Sequence, residues 1–297
     1  MSETTIEARG VVRRFGTKRA VDGLDLTVPR GCIYGLLGRN GAGKTTLLRM
    51  LAGLIRPNAG DLRVRGIDPW CFTVDDRYVV GYVPERLVLP PMMRVEGIVR
   101  FCRSLYPVWD SALVDRLLGG AGIQPRQRIK SLSLGAGRML TVALAFAHKP
   151  DVLLLDEPAG GLDVVARREF LDALLAIFKE ETSTVLFSTH ILTDVERVAD
   201  HVGIMVRGRM SVSEPLDRLK ETVKRVRAHG TGLAGDRLPP GTLRAQHVGD
   251  ELLATVRLTD EAALRGWAAE QGCAVEIQDL SLEDIFIELA QGNDHDR

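Results

Sequence analysis

The residues Gly38-Arg39-Asn40-Gly41-Ala42-Gly43-Lys44-Thr45-Thr46 have the types and spacing of a phosphate-binding loop, G-x-x-x-x-G-K-[ST] read from Gly38 to Thr45. The glycines let several backbone N–H groups turn toward one anion. A helix starting at the end of the loop adds its partial positive charge. Gly38, Asn40, Gly41, Ala42, Gly43, Lys44, Thr45 and Thr46 are therefore candidate nucleotide-binding positions. Lys44 would reach the β- and γ-phosphates, and the Thr45 hydroxyl would sit on Mg²⁺.

Other stretches carry chemistry only in combination. Asp156-Glu157 ends the apolar run Val152 to Leu155. On an isolated strand such a pair could merely cap a sheet. Beside a phosphate loop, Asp156 would serve Mg²⁺ and Glu157 would polarise an attacking water. His190 follows the apolar run Ser183 to Thr189, at a strand end where parallel sheets bind ligands, and could orient that water. His148, His201, His229, His247 and His295 read as structural or exposed. Lys130 to Arg138, with Ser133 and Gly135, opens an apolar helix from Met139 to Ala147. Alone it is a good helix start. Gly160-Gly161-Leu162-Asp163 reads as a turn, and Gly81-Tyr82-Val83-Pro84-Glu85 ends in an oxygen ligand for Mg²⁺ or water.

Short strands are expected at Thr4 to Val12, Ala20 to Val28 and Cys32 to Leu37, then a helix from Thr45 to Leu54 carrying Leu47, Leu48, Leu51 and Leu54. Two further strands are expected at Gly60 to Arg65 and Tyr78 to Val83. From about 85 to 149 the periodicity is helical, with Val95, Ile98, Val99 and Phe101 on one apolar face and Leu113, Leu117 and Leu118 on another. Beyond it, strands alternate with helices: Asp151 to Asp156, Val164 to Lys179, Ser183 to Thr189, Ile191 to about Ala199, and a hairpin from Val202 to Val212. That alternation argues an α/β fold with a mostly parallel core sheet, antiparallel N-terminal strands and an inserted helical subdomain. Residues 1–219 form the nucleotide domain and 220–297 a small α+β module. In the module, Gly230 to Gly235 and Pro239-Pro240-Gly241 read as loops. They are followed by a strand from Glu251, a helix from about Asp260, a strand from Ala274 and a capping box at Ser281 to Asp284.

The chain has 297 residues, with 39 Lys+Arg balanced by 39 Asp+Glu. This neutrality offers no electrostatic footprint for nucleic acid, and no nucleic-acid partner is expected. No stretch approaches the roughly 18 apolar residues of a membrane span, and the N-terminal residues lack a signal-peptide pattern, so a soluble cytoplasmic chain is expected. Cys32, Cys71, Cys102 and Cys273 are scattered and read as reduced core residues.

Taken together, residues 4 to about 217 resemble the ATP-binding cassette family, the motor subunits of ABC transporters. The motifs stand in the family's order: phosphate loop at Gly38–Thr45, Gln-loop position at Glu85, signature at Leu132–Ala136, Asp156-Glu157, Asp163 of the D-loop and His190 of the switch. The resemblance implies ATP and Mg²⁺ as ligands, with Thr45, Glu85 and Asp156 around the metal and Phe15 against adenine, although by itself Phe15 could equally be a core residue. It also implies a head-to-tail pair of cassettes. In that pair Ser133 and Gly135 act on the nucleotide held by the other subunit, and Asp163 lies at the composite site. The chain departs from the family with Glu85 in place of glutamine, Leu134 and Ala136 in the signature, and no serine in Gly160-Gly161-Leu162-Asp163. Ser281 to Leu289 and Tyr106-Pro107-Val108-Trp109-Asp110 look like bacterial export-type cassettes, which drive a separate multi-span permease from the inner face of the membrane. Contact with such a partner is expected around Glu85 to Arg103. The competing reading is a cassette that dimerises on ATP as a clamp with little hydrolysis.

Overall fold

The computed structural model describes residues 4–86, 89–180, 183–230, 237–249 and 251–292. The expected loop at 231–235, His295 and, within the expected partner contact, Leu87 and Val88 lie outside the described residues. Backbone contacts divide the chain into two units, Met1–Ser213 and Glu214–Arg297. The second begins ahead of Leu219 because the short helix Leu216–Thr222 runs directly into its first strand.

In chain order, the first unit contains β1 (Thr4–Phe15), β2 (Lys18–Pro29), β3 (Ile33–Leu37), α1 (Lys44–Leu51), β4 (Ala59–Val64), β5 (Val80–Val83), α2 (Val95–Arg103), α3 (Ser111–Gly120) and α4 (Leu134–Phe146). There follow β6 (Val152–Asp156), α5 (Val164–Glu180), β7 (Thr184–Thr189), α6 (Leu192–Val198), β8 (His201–Val206) and β9 (Arg209–Pro215), the last ending across the unit boundary. β1 and β2 form an antiparallel hairpin, and β4 pairs with the other edge of β1. Val21, Leu24, Leu26 and Val28 of β2 turn into the core, where alternation with polar neighbours predicts them. The main sheet has the order β5-β6-β7-β3-β8-β9, and the pairs β5/β6, β6/β7, β7/β3 and β3/β8 are parallel. Every residue of β6 and β7 is buried. Central strands covered on both faces are near-continuously apolar, which is why these two runs lack alternation.

The second unit contains α7 (Leu216–Thr222), β10 (Val223–His229), β11 (Thr242–Val248), β12 (Glu251–Arg257), α8 (Glu261–Gln271), β13 (Ala274–Asp279) and α9 (Leu282–Gly292). Its antiparallel sheet has the order β11-β12-β10-β13. Val226, Ala228, Leu252, Ala254 and Val256 pack with Leu264 and Trp267 of α8. The capping box at α9 is present: Ser281 Oγ bonds the Asp284 carboxylate at 2.7 Å and accepts from the Asp284 N–H at 3.1 Å.

Several expectations change. α1 ends at Leu51, and Leu54 is exposed, because Gly53 turns the chain with φ +68°. Phe101 is exposed, whereas Val95 and Ile98 are buried. The strand expected from Tyr78 starts at Val80, after a 3-10 turn at Asp76–Val79. β10 and β11 lie where the sequence pattern predicts no strand. β10 alternates Lys and Arg with small apolar residues, and β11 is largely exposed, so neither displays an apolar run. Of the four cysteines only Cys32 is buried, and burial pushes its thiol up to about 12. Among the described residues no helix is long and apolar enough to cross a membrane.

The Tyr106 to Asp110 segment acts in packing. Tyr106 stacks on the buried His148 ring at 4.2 Å between centroids. Asp110 accepts from the Leu113 N–H at 2.9 Å, capping α3, and pairs with Lys149 at 3.0 Å. Burial pushes the His148 imidazole from its ordinary 6.5 down to about 4. The fold therefore favours neutral His148, so its contribution to stability is complete above about pH 6.5 and is lost as pH falls toward 4. His148→Phe, which keeps the stack, is expected to lose roughly 3–6 °C less in melting temperature than the wild type between pH 7 and pH 5, measured by thermal unfolding.

Candidate active site

β3, β7 and β6 are consecutive in the sheet and run parallel, so their carboxyl ends lie side by side, about 4.8 Å from strand to strand. The loop Gly38 to Gly43 leaves β3 and enters α1 at Lys44. Gly43 has φ +109°, and a Cβ there would lie 2.3 Å from the Ala20 carbonyl oxygen. At Gly38 a Cβ would lie 2.6 Å from the Met205 oxygen. The loop is thus pressed against β2 and β8, and only glycine fits at both positions. Lys44 is buried, its Nζ donates to the Gly38 carbonyl at 2.6 Å, and it stands 3.2 Å from Glu157 Oε1.

β6 delivers the carboxylates. Asp156 is fully buried and in register with Ser188 of β7. Its Oδ1 accepts from Ser188 Oγ at 2.8 Å and from Thr45 Oγ1 at 3.0 Å, while the buried Oδ2 has no hydrogen-bond partner. Burial raises the Asp156 carboxyl above its ordinary range. The Ser188 and Thr45 bonds work against that, and the charges of Glu85 and Glu157 add to it. A buried carboxylate oxygen without a donor, beside a threonine hydroxyl at a phosphate loop, is a donor set that fits Mg²⁺. Among the described residues no group of three or more His, Cys, Asp or Glu could hold a metal by itself. A cation here would take its remaining ligands from phosphate and water, as Mg²⁺ does at nucleotide sites.

Glu157 adopts a left-handed backbone, φ +47°, a conformation that costs a non-glycine residue about 1–3 kcal/mol. Two bonds hold it there. The Glu157 N–H donates to Ser188 Oγ at 2.9 Å, and its carbonyl accepts from the Gly160 N–H at 3.0 Å. The turn aims the side chain back at the loop, where Oε1 meets Lys44 and Oε2 lies 2.9 Å from His190 Nδ1. His190, at the end of β7, is half exposed.

These groups border a cavity of about 810 Å³, lined by Phe15, loop residues Asn40 to Thr46, Glu85, Glu157 and His190, together with Lys18, Ala20, Arg39, Arg86, Leu134, Arg138, Gly160 and Gly161. Phe15 is half exposed with the Arg13 guanidinium 4.7 Å above its ring, so it is not a core residue. Ser133, Gly135 and Asp163 do not line this cavity. Ser133 Oγ accepts from the Ala136 N–H at 3.2 Å and caps α4, and Ser133 and Gly135 line a different cavity of about 440 Å³. Asp163 Oδ1 accepts from the Val165 and Ala166 N–H groups, both at 3.0 Å, and caps α5. Two site residues carry no role in the sequence reading. Ser188 bonds the Asp156 carboxylate and the Glu157 backbone, and a serine inside the apolar run of β7 is the signal that it needed a polar partner. Arg138 is the other, a charge within the apolar run of α4.

The family model described as ABC transporter matches residues 21–160. The chain is 30% identical to the bacitracin transport ATP-binding protein BcrA of Bacillus licheniformis, over 97% of this chain and 98% of that protein. It is 41% identical to the Nod factor export ATP-binding protein I of Burkholderia lata, over 70% of each chain. It is 34% identical to the daunorubicin resistance ATP-binding protein DrrA3 of Streptomyces coeruleorubidus, over 74% of this chain and 71% of that one. Among solved structures, an ATP-binding subunit of an ABC transporter superposes with TM-score 0.65 at 26% identity, covering 73% of this chain and 92% of the other. The dimeric bacterial cassette MJ0796 shares the fold, with TM-score 0.63 at 20% identity over 71% of this chain and 98% of that one.

Ser188 bridges Asp156 Oδ1 and the Glu157 N–H, so Ser188→Ala leaves one buried acceptor weakened and one donor unmet. The variant is expected to unfold in urea with about 1–3 kcal/mol less stability at neutral pH. A loss below about 0.5 kcal/mol would show that the bridge is replaced by solvent.

Proposed function

The chain belongs to the ABC transporter family and carries its ATP-hydrolysing cassette; from that premise we propose that it works as one of two cassettes that bind ATP and Mg²⁺ between them and drive a separate multi-span permease, in the direction of export. The observation that carries the catalytic assignment is the Glu157 carboxylate, held 3.2 Å from Lys44 and 2.9 Å from His190 above a buried Asp156. An incoming γ-phosphate would compete with Glu157 for Lys44. Lys44 then takes the phosphate oxygens, and Glu157 is left with His190 and room for a water. Glu157 accepts a proton from that water as its oxygen bonds to the γ-phosphorus and the bond to the β-phosphate oxygen breaks, giving ADP and phosphate. His190 orients the water and the carboxylate. Thr45, Asp156 and Glu85 would hold Mg²⁺, whose charge offsets that of the phosphates.

The cradle of Lys44 lacks the Ser133 and Gly135 groups, which open a different cavity of the same chain. This separation supports a head-to-tail pair, in which each signature helix start serves the other chain's nucleotide and Asp163 stands near the seam. Nucleotide state then biases an open and a closed arrangement. Export, and a cytoplasmic position on the inner face of the membrane, rest on the kinship with the bacitracin, daunorubicin and Nod factor proteins. Residues 220–297 serve as an accessory module.

Phosphate release by the purified chain with Mg²⁺-ATP, with light scattering for oligomeric state, tests this. Glu157→Gln is expected to lose about 10²-fold or more in turnover while accumulating an ATP-dependent dimer. Dimerisation on ATP without turnover, with the permease present as well, would favour the clamp.

A further inference from the structure

Phe15 is a part of the cavity wall that this mechanism leaves unused. A single exposed aromatic side chain is ordinary on a protein surface and needs no ligand to explain it. Phe15 is set apart by what lies around its ring. The Arg13 guanidinium stands 4.7 Å from the ring centroid, and the ring borders the cavity that Asn40 to Thr46 also line. Arg13 does not line that cavity, so the cation and the cavity meet different parts of the ring.

Arg13 is itself anchored. Its Nη1 donates to the Arg56 carbonyl at 2.9 Å. Among the described residues its buried Nε has no hydrogen-bond partner, so the group is committed to that carbonyl and to the ring. The backbone on either side of Arg13 is fastened to the same segment. The Arg14 N–H donates to Asn58 Oδ1 at 2.7 Å, and the Asn58 N–H donates to the Val12 carbonyl at 2.7 Å. Residues 56–58 follow α1, which begins at Lys44. One helix therefore starts at the loop and leads into the segment that fixes the tip of β1. The position of the ring relative to the loop does not depend on the hairpin turn alone, where Phe15 pairs with Lys18.

The open part of the ring defines its ligand. A phenyl face makes no ordinary hydrogen bonds, so it suits a flat ring, and the neighbouring loop requires the same ligand to carry phosphate. A nucleotide base meets both conditions. A cation is attracted to the electron-rich face of an aromatic ring and restrains it there. A base that stacks on a restrained ring loses less side-chain freedom on binding than one that must order the ring itself.

We propose that Arg13 is a positioning residue for nucleotide binding: fixed by its bond to Arg56, it clamps Phe15 from behind and presents the rest of the ring as a preformed stacking platform for the base. The inference rests on the reading of the loop as an ATP site. Arg13 acts through Phe15 and touches neither base nor phosphate.

The test is calorimetric titration of the full chain with Mg²⁺-ATP and, separately, with Mg²⁺-tripolyphosphate, which offers phosphates to the loop and nothing to the ring. Arg13→Met is expected to raise Kd for ATP about three- to tenfold while changing that for tripolyphosphate less than about twofold. Phe15→Ala is expected to raise Kd for ATP about tenfold or more, again sparing tripolyphosphate. Arg13→Lys, which keeps the cation but not the planar fork, is expected to fall between wild type and Arg13→Met. In the Phe15→Ala background, Arg13→Met is expected to cost less than about twofold for ATP. Retained tripolyphosphate binding reports that the loop is folded in each variant. Losses in Arg13→Met that are equal for the two ligands, or equal with and without the Phe15 ring, would overturn the platform and leave Arg13 as a packing residue. A wild type that binds neither ligand would refute the nucleotide reading itself, and the platform would fall with it.

Discussion

A carboxylate pair at the end of a fully buried strand creates the electrostatic problem that the surrounding groups answer. Asp156 has no exposed surface, and burial of that kind disfavours its charge. Ser188 and Thr45 donate to one oxygen, Lys44 and His190 take the neighbouring Glu157, and the Ser188 hydroxyl bonds both the side chain of one carboxylate residue and the backbone of the other. The second oxygen of Asp156 stays unmet. Strong fields in a low-dielectric pocket are expensive in the resting protein and useful once a nucleotide's phosphates arrive. The left-handed backbone at Glu157 belongs to the same account, since local strain directs the side chain to the loop and the strand pairing absorbs it.

That arrangement depends on sheet order more than on any single bond. β7 lies between β3 and β6, so the Gly38–Gly43 loop, His190 and the carboxylates emerge at neighbouring strand ends. The connections that must loop out to allow parallel pairing carry the helical block between β5 and β6. Its helix α4 contributes in two directions: Ser133 and Gly135 open one cavity, while Leu134 and Arg138 border the other. One helix start therefore borders two cavities.

The Glu214–Arg297 unit has its own core, built on a four-stranded antiparallel sheet and α8. Its ion pairs, such as Arg225 with Glu288 at 3.1 Å and Arg257 with Glu214 at 2.7 Å, join neighbouring elements of that unit. Such pairs are fixed by local strand and helix geometry, and they contribute to register and orientation more than to net stability.

Much of this was legible in the sequence because local chemistry dictates it. The glycine spacing before Lys44 requires a loop that wraps an anion. The largely apolar runs of β6 and β7, without alternation, point to central parallel strands, and Ser281 to Asp284 to a helix start. Elements without an apolar period, β10 and β11, left no such mark. Pairwise geometry was decided only in three dimensions. Thr45 and Asp156 are separated by 111 residues, and Glu157 and His190 by 33, yet each pair is in hydrogen-bond contact. Nothing in the order of residues states that Ser188 bonds both the Asp156 carboxylate and the Glu157 backbone, that Phe15 stands in solvent beneath Arg13, or that Arg138 buries two donors that have no partner. Periodicity and turn chemistry act over a few residues and can be read from the chain. Strand order and burial are properties of the packed whole, and these determine which charges meet.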